Sequence, residues 1–169
     1  MATADVSQIL SRISNLLEEF EVRVPGAGPR NSDFRADLAG LLVVLIAATY
    51  ENCVKDILLR YAEAKNSDFG NYVGRRYQKI NSQIRLSDLR TYAKNFDPTI
   101  DTKFKTDLDT YNKSILSRTG VDVKDCYNQI LEWRHGFAHQ GLRNVTLEEA
   151  SKFHRYAQRV LIIFDASFG

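Results

Sequence analysis

Residues 38–48, LAGLLVVLIAA, form an almost continuous apolar run that decides how the chain can fold. The run is shorter than the ~18 apolar residues that indicate a membrane-spanning helix. Polar residues 50–52 then interrupt it. A helix that is apolar on most sides is buried inside a protein. The run therefore predicts a long core helix, capped at Ser32 or Asp33 and reaching about Ala64.

Helical periodicity also appears on both sides of this run. Apolar side chains in residues 6–20 recur at helical spacing, which predicts an amphipathic first helix that ends before Pro25. The glycines and prolines of residues 24–31 predict a loop. After the core helix, residues 68–82 are typical of a helix, although two glycines weaken this prediction.

The second half of the chain also has a helical pattern. Ser87 is predicted to cap a short helix that ends near Phe96, where Pro98 closes it off. Residues 101–118 follow as a helix that ends at Gly120.

Two more helices complete the pattern. An apolar stripe along residues 123–137 predicts a helix that frays near residues 139–141. Thr146 and Glu149 form a capping box that begins the last helix. No alternation typical of strands and no internal repeat is visible. The predicted fold class is all-α: one domain over residues 1–169, a helical bundle around one long central helix.

Composition narrows the possible environments and partners. The formal net charge is +2, which is too small to predict nucleic-acid binding from the total alone. Cys53 and Cys126 lie in apolar helical patterns without CxxC spacing, which favours a reducing cytosol. Residues 1–11 lack the features of a signal peptide. We therefore expect a cytoplasmic protein without a membrane partner.

One segment, residues 134–139 with the sequence RHGFAH, departs from the amphipathic pattern. Arg134 falls in register with Tyr127 and Ile130 on the apolar stripe. A charge on such a stripe needs a partner, because an unpaired buried charge is costly. His135 and His139 are four residues apart, so their side chains lie next to each other at the helix end.

This combination suits chemistry on RNA. An arginine offers a forked set of donors to a phosphodiester. A nearby histidine can exchange a proton near neutral pH. RNA carries its own nucleophile, the ribose 2′-hydroxyl, so these groups suffice for cleavage. The structural alternative is that Arg134 snorkels or pairs with an acid and that both histidines are ordinary surface residues.

Glu51 is a second polar residue in an apolar register, here on the core helix. It could pair with Arg134 or with a helix end, or it could hold Arg134 in a catalytic pose, and the sequence does not decide between these roles. A zinc site is a further alternative, because His135 and His139 have the i, i+4 spacing that can hold zinc. Without an intervening glutamate or a marked third ligand, we predict no metal and no cofactor.

A basic stretch lies between Asn71 and Asn95, with a single acid, Asp88, and several interleaved tyrosines. Its cations are Arg75, Arg76, Lys79, Arg85, Arg90 and Lys94. Phosphates need cations, and unstacked RNA bases stack on aromatic side chains. Arg75, Arg76 and Lys79 are therefore candidate RNA-binding residues. The alternative is a solvated helical face.

The segment with Arg134 and His139 resembles the Arg-x4–6-His motif of the HEPN ribonucleases. A polar residue after the arginine, here His135, also fits that motif. Its position is similar too, late in the chain and just before a capped final helix. Residues 50–52 and 76–81 look like small HEPN proteins of bacterial toxin–antitoxin and phage-defence loci. Gly136 departs from the pattern and could loosen the helix.

The resemblance implies a HEPN-like bundle that dimerises and brings two such motifs into one composite site. It implies an endoribonuclease in which Arg134 binds the scissile phosphate. His139 acts on the 2′-hydroxyl or leaving-group proton, and His135 orients the pair. The products carry 2′,3′-cyclic phosphate and 5′-hydroxyl ends, and no metal is needed.

The resemblance also implies partners and a rival function. A toxin or defence effector that cleaves cellular RNA needs restraint, so an antitoxin or regulatory protein is expected. The main alternative is a non-catalytic HEPN-like module that dimerises or binds a partner or a nucleotide. A zinc-dependent hydrolase is the third possibility.

Overall fold

The computed structural model describes residues 2–24, 29–80 and 83–169, and seven helices run through these residues. The predicted all-α fold is confirmed. The helices are α1 Ala2–Arg23, α2 Pro29–Lys65, α3 Ser67–Arg76, α4 Leu86–Phe96, α5 Pro98–Thr119, α6 Val123–Gln140 and α7 Leu147–Phe168.

Helix α2 is the central element, with 37 residues, and it packs against α1, α3, α6 and α7. Its inner side chains are fully buried, among them Ile46, Tyr50 and Leu58. The predicted core helix is therefore present. It is not buried on every side, because Leu41 and Leu45 are exposed to solvent.

Helix α2 begins earlier than its sequence predicts. It starts at Pro29, so the two predicted capping residues, Ser32 and Asp33, lie inside the helix. Proline is tolerated in the first turn because the backbone N–H that it lacks has no helical partner there. Of the predicted loop over residues 24–31, residues 25–28 lie outside the described residues.

Helix α3 ends at Arg76, whereas the sequence predicted a helix to residue 82. Its start is capped by Asn66, whose side chain accepts a hydrogen bond from the Phe69 N–H at 2.8 Å. After α3 the chain leaves helical geometry, and Ile80 and Ile84 become buried in the core. Burial of these two isoleucines thus outweighs local helix propensity. Residues 81–82 lie outside the described residues.

The next two helices also start differently from their predicted starts. Helix α4 has Arg85 at its N-cap position, so Ser87 lies inside the helix. Helix α5 begins at Pro98 instead of residue 101. Asp97 caps it by accepting the Thr99 N–H at 2.7 Å. Pro98 therefore follows the end of α4 and also occupies the first position of α5, where proline is favoured.

One helix in the described residues has the length and composition of a membrane span. The segment Ser32–Lys65 of α2 contains an apolar 18-residue window, and half of that window is buried inside the bundle. The core helix of a soluble protein passes the same test, so this feature gives only weak support for a membrane.

A buried histidine joins three helices of the core. The His154 Nδ1 atom in α7 lies 2.9 Å from the Tyr50 hydroxyl in α2, and its Nε2 atom lies 3.4 Å from the Leu10 carbonyl in α1. Because a carbonyl can only accept, Nε2 carries the proton and Nδ1 accepts the tyrosine hydrogen bond. Burial lowers the pKa of His154 to about 4.

The low pKa of His154 predicts a loss of stability in mild acid. In the unfolded chain this histidine takes up a proton below pH 6.5, whereas in the folded protein it stays neutral down to about pH 4. The unfolded state therefore binds more protons between these values, and the free energy of unfolding falls by up to about 3 kcal/mol as pH is lowered through this window.

Urea unfolding at several pH values between 7 and 4 measures this loss, and His154→Gln is the control. The variant keeps a polar side chain but does not titrate, so its stability should depend less on pH. An equal slope for both proteins would assign the loss to other groups.

Candidate active site

Helix α6 carries the segment RHGFAH, and both of its ends are well defined. Asp122 caps the start by accepting the N–H groups of Lys124 and Asp125 at 2.8 and 3.0 Å. Gly141 ends the helix in the left-handed conformation, with a φ of 64°. Its N–H donates to the Phe137 carbonyl at 3.1 Å. The helix therefore continues through His139 and ends at Gln140, within the segment where the sequence predicts its end.

Helices α6 and α2 approach each other closely next to this segment. A Cβ atom placed on Gly40 would lie 2.0 Å from the Phe137 ring, so the ring occupies the space that any other residue at position 40 would need. Gly136 is buried inside α6, and a Cβ there would lie 3.3 Å from Leu142. Gly136 thus does not break the helix. These contacts set the position of the segment relative to α2.

A cleft of about 230 Å³ opens at this point. Its lining residues are Ala47, Ile84, Arg85, Leu131, Arg134, His135 and His139. The side chain of Arg134 is half-buried, and both histidines are exposed. The two imidazole rings are in contact, with centroids 4.8 Å apart. The structure therefore brings Arg134, His135 and His139 together at one open surface.

One cation of this cleft, Arg134, has no acidic partner among the described residues. In residues 2–24, 29–80 and 83–169, no hydrogen bond or ion pair joins the Arg134 guanidinium to another side chain. Some other arginines are paired, for example Arg143 with Asp37 at 2.6 Å and Arg90 with Asp101 at 2.8 Å. None of the described side chains that line the cleft is a carboxylate. Arg134 can therefore offer its forked donors to an anion from outside.

Besides α6 and Ala47, the cleft is lined by Ile84 and Arg85. Two tyrosine hydroxyls fix consecutive carbonyls of this segment: Tyr92 donates to the Gln83 carbonyl at 2.7 Å, and Tyr127 donates to the Ile84 carbonyl at 2.8 Å. Tyr127 itself is buried in the core. Arg85 follows directly and lines the cleft. The sequence predictions did not include Arg85 as a site residue. Its position in the cleft depends on tertiary contacts that bring residues 84–85 next to α6.

Glu51 lies next to the cleft on α2. It is one helical turn beyond Ala47, whose side chain lines the cleft. Its carboxylate pairs with the Lys55 ammonium at 2.7 Å, and its side chain is 20% exposed. The sequence suggested a role in holding Arg134, which stays a prediction.

The three predicted RNA-binding cations lie at and after the end of α3, and all are exposed. Arg75 lines a second groove, of about 640 Å³, between α2 and α3. Arg76 lies close enough to Tyr92 to act on its pKa, although burial dominates and raises this pKa to about 12. Lys79 is exposed just beyond α3.

The described residues hold no group of three or more histidine, cysteine, aspartate or glutamate side chains placed to bind a metal ion. His135 and His139 are thus a pair without a third ligand in this part of the chain. The zinc alternative needs a ligand from elsewhere.

Comparison with known families matches the chain over most of its length. The sequence model of the RiboL-PSP-HEPN family matches residues 4–169. Comparisons with curated proteins and with solved structures gave no significant match. The match therefore covers all of the helices except the first two residues of α1, and it supports an RNA-related or nuclease-like role in general terms.

Proposed function

The chain belongs to the RiboL-PSP-HEPN family, and on that premise we propose that it is a metal-independent endoribonuclease. One observation supports this most: Arg134, which has no partner in the described residues, shares an open cleft with two exposed histidines in mutual contact. A non-catalytic module that binds an anionic ligand would use the same arginine, so an assay of cleavage is needed to separate the two functions. For cleavage of RNA, the same arrangement places an anion-binding group beside proton-exchanging groups.

In the proposed reaction the ribose 2′-oxygen attacks the adjacent phosphorus and the bond from phosphorus to the 5′-oxygen breaks. The 2′-hydroxyl loses one proton and the departing 5′-oxygen gains one; His139 carries out one of these transfers, and the second motif of the dimer or water carries out the other. Arg134 binds the phosphate and stabilises the charge that develops on its oxygens. His135, in contact with His139, orients that ring. The products carry a 2′,3′-cyclic phosphate and a 5′-hydroxyl.

Incubation of purified protein with single-stranded and structured RNA in EDTA tests this function. We expect cleavage that persists in the chelator, and fragments that polynucleotide kinase can label at their 5′ ends without prior phosphatase. A variant with both Arg134 and His139 replaced by alanine, purified in parallel, controls for contaminating nucleases. Absence of cleavage by the folded protein across several RNAs would favour the binding-module alternative.

The proposed active form is a homodimer, and α2 offers a face for it. Phe34, Leu41 and Leu45 are 56%, 59% and 42% exposed, and Ala48 continues the same stripe. A contiguous apolar stripe of this kind marks an interaction surface. It adjoins the cleft, because Ala47 lines the cleft from the neighbouring face of α2. A two-fold axis along this stripe would pair identical surfaces and bring two clefts together.

Leu41→Glu is expected to turn this dimer into a monomer and to abolish most of the cleavage, because a carboxylate would be buried against its own copy. The folded monomer should keep its melting temperature, since Leu41 is exposed within one chain. Leu116→Glu on α5, where the leucine is 44% exposed, is the matched control and should leave the dimer intact. Sedimentation velocity of both variants measures the outcome, and a wild-type monomer would contradict the proposal.

The RNA-binding surface is proposed to extend from the cleft to Arg75, Arg76 and Lys79, whose exposed cations can contact flanking phosphates. By analogy with the family resemblance, the cell in which it acts is bacterial, the location cytoplasmic, and the role that of a toxin or phage-defence effector under an antitoxin or regulatory partner. Induced expression tests this role. Growth arrest by the wild type, and not by His139→Ala, would support it.

A further inference from the structure

Arg85 is the second arginine of the cleft, and it differs from Arg134 in having a partner. Its guanidinium lies 2.9 Å from the Glu132 carboxylate. Both side chains are largely exposed, at 63% and 55%. An ion pair in such contact with water contributes little to stability. Arg85 can therefore exchange Glu132 for another anion at small cost.

Glu132 belongs to the same face of α6 as the two histidines. Glu132, His135 and His139 are spaced i, i+3 and i+7, which places them in one row along the helix. Arg85 bonds the first member of this row and lines the cleft with the other two. A small rotation of its long side chain moves the guanidinium from Glu132 toward the histidines.

The backbone of Arg85 is held firmly, whereas one exposed ion pair, to Glu132, is the side-chain contact that a ligand would have to replace. Its N–H donates to the Asp88 carboxylate at 2.9 Å, and its carbonyl accepts the Leu89 N–H at 3.0 Å. The two preceding carbonyls accept tyrosine hydroxyls. A cation on a backbone that is already fixed can bind a phosphate with little further loss of backbone freedom.

We propose that Arg85 is a second phosphate-binding residue of the cleft and that Glu132 holds its side chain until an RNA phosphate displaces the carboxylate. This inference rests on the proposed function, because it takes RNA as the ligand. Because Arg134 binds the scissile phosphate in that function, Arg85 would bind a flanking phosphate of the same strand. Glu132 acts as a competitor of RNA in this scheme.

The two partners should therefore have opposite effects on RNA binding. Arg85→Gln removes one phosphate contact, which is expected to weaken binding about tenfold and to reduce the dependence on salt by about one counterion. Glu132→Gln frees Arg85 and should tighten binding several-fold. In an Arg85→Gln background, Glu132→Gln should then have little effect. A merely repulsive effect of the carboxylate would persist in that background.

The measurement is fluorescence anisotropy with an RNA oligonucleotide that carries 2′-O-methyl groups throughout. This probe lacks the 2′-hydroxyl nucleophile, so it binds without being cleaved. Arg118→Gln, which removes an exposed charge from α5, is the control for loss of net charge. Melting temperatures of all variants should agree, because every substituted side chain is exposed.

The outcomes separate this inference from the proposed nuclease. Equal effects of Arg85→Gln and Arg118→Gln would overturn it, and so would an effect of Glu132→Gln that does not depend on Arg85. If the expected pattern appears while unmodified RNA stays intact, the inference stands and the nuclease proposal fails. If the wild type does not bind RNA, both fail.

Discussion

Replacement of His139 by alanine is expected to lower the rate of RNA cleavage by roughly 10²–10⁴-fold, the usual contribution of a general acid or base. The histidine lies in the last turn of α6, where its ring is exposed and lies against the exposed ring of His135. The substitution should therefore leave the free energy of unfolding within about 0.5 kcal/mol of the wild-type value. A loss of rate without a loss of stability is the result that identifies a catalytic residue.

Replacement of Arg134 should likewise lower the cleavage rate without lowering stability, and two different substitutions should differ in their effects. Arg134→Lys keeps the charge but loses the planar fork of donors, so we expect it to recover only part of the rate lost in Arg134→Ala. Gln140→Ala, one residue beyond His139 and equally exposed, is the matched control and should cleave as the wild type does. Single-turnover rates with saturating enzyme make the comparison. Wild-type rates for both His139→Ala and Arg134→Ala would place the chemistry outside this cleft.

The second large effect is expected from Gly40→Ala, far from the cleft in sequence. The added methyl group would lie 2.0 Å from the Phe137 ring, so either the ring or α6 itself must move. Overpacking of this kind costs about 1–3 kcal/mol. Because Phe137 lies between Arg134 and His139 on the same helix, the displacement should also lower the cleavage rate.

A double-mutant cycle with Phe137→Ala tests this contact directly. With the ring removed, Gly40→Ala should no longer destabilise, and the interaction energy should exceed about 1 kcal/mol. Gly74→Ala is the control, because a Cβ there meets only Leu59, at an ordinary 3.5 Å. It should be neutral or stabilise by up to about 1 kcal/mol, the normal preference of helices for alanine over glycine. Equal losses at both glycines would show that the Phe137 contact is not the cause.

The helices that follow strong apolar periodicity could be predicted from the sequence. The apolar run of α2 and the stripe of α6 each report burial of one helix against several others, and this signal is local. The end of α3 could not be predicted in this way. Whether the chain continues as a helix past Arg76 depends on the burial of Ile80 and Ile84 by distant elements, which the local pattern does not contain.

Some residues of the candidate site could be predicted from local spacing, and others could not. Arg134, His135 and His139 belong to one helix, so their spacing alone predicts that they share a surface. Arg85 and Gly40 come from other segments and enter only through tertiary contacts. A sequence signal for Gly40 does exist: it is the single glycine in the apolar run of residues 38–48, where a glycine weakens a helix unless close packing requires it.

The hydrogen bonds of His154 have a consequence for synthesis of the protein. They tie α7, made last of the seven helices, to the Leu10 carbonyl in α1 and to Tyr50 in α2. Until α7 emerges from the ribosome, the earlier helices lack one side of their core, and α2 lacks its contacts with α7. Helix α6, which carries the candidate site, packs on α7 as well. A nascent chain therefore cannot complete the packing around this site before α7 has been made.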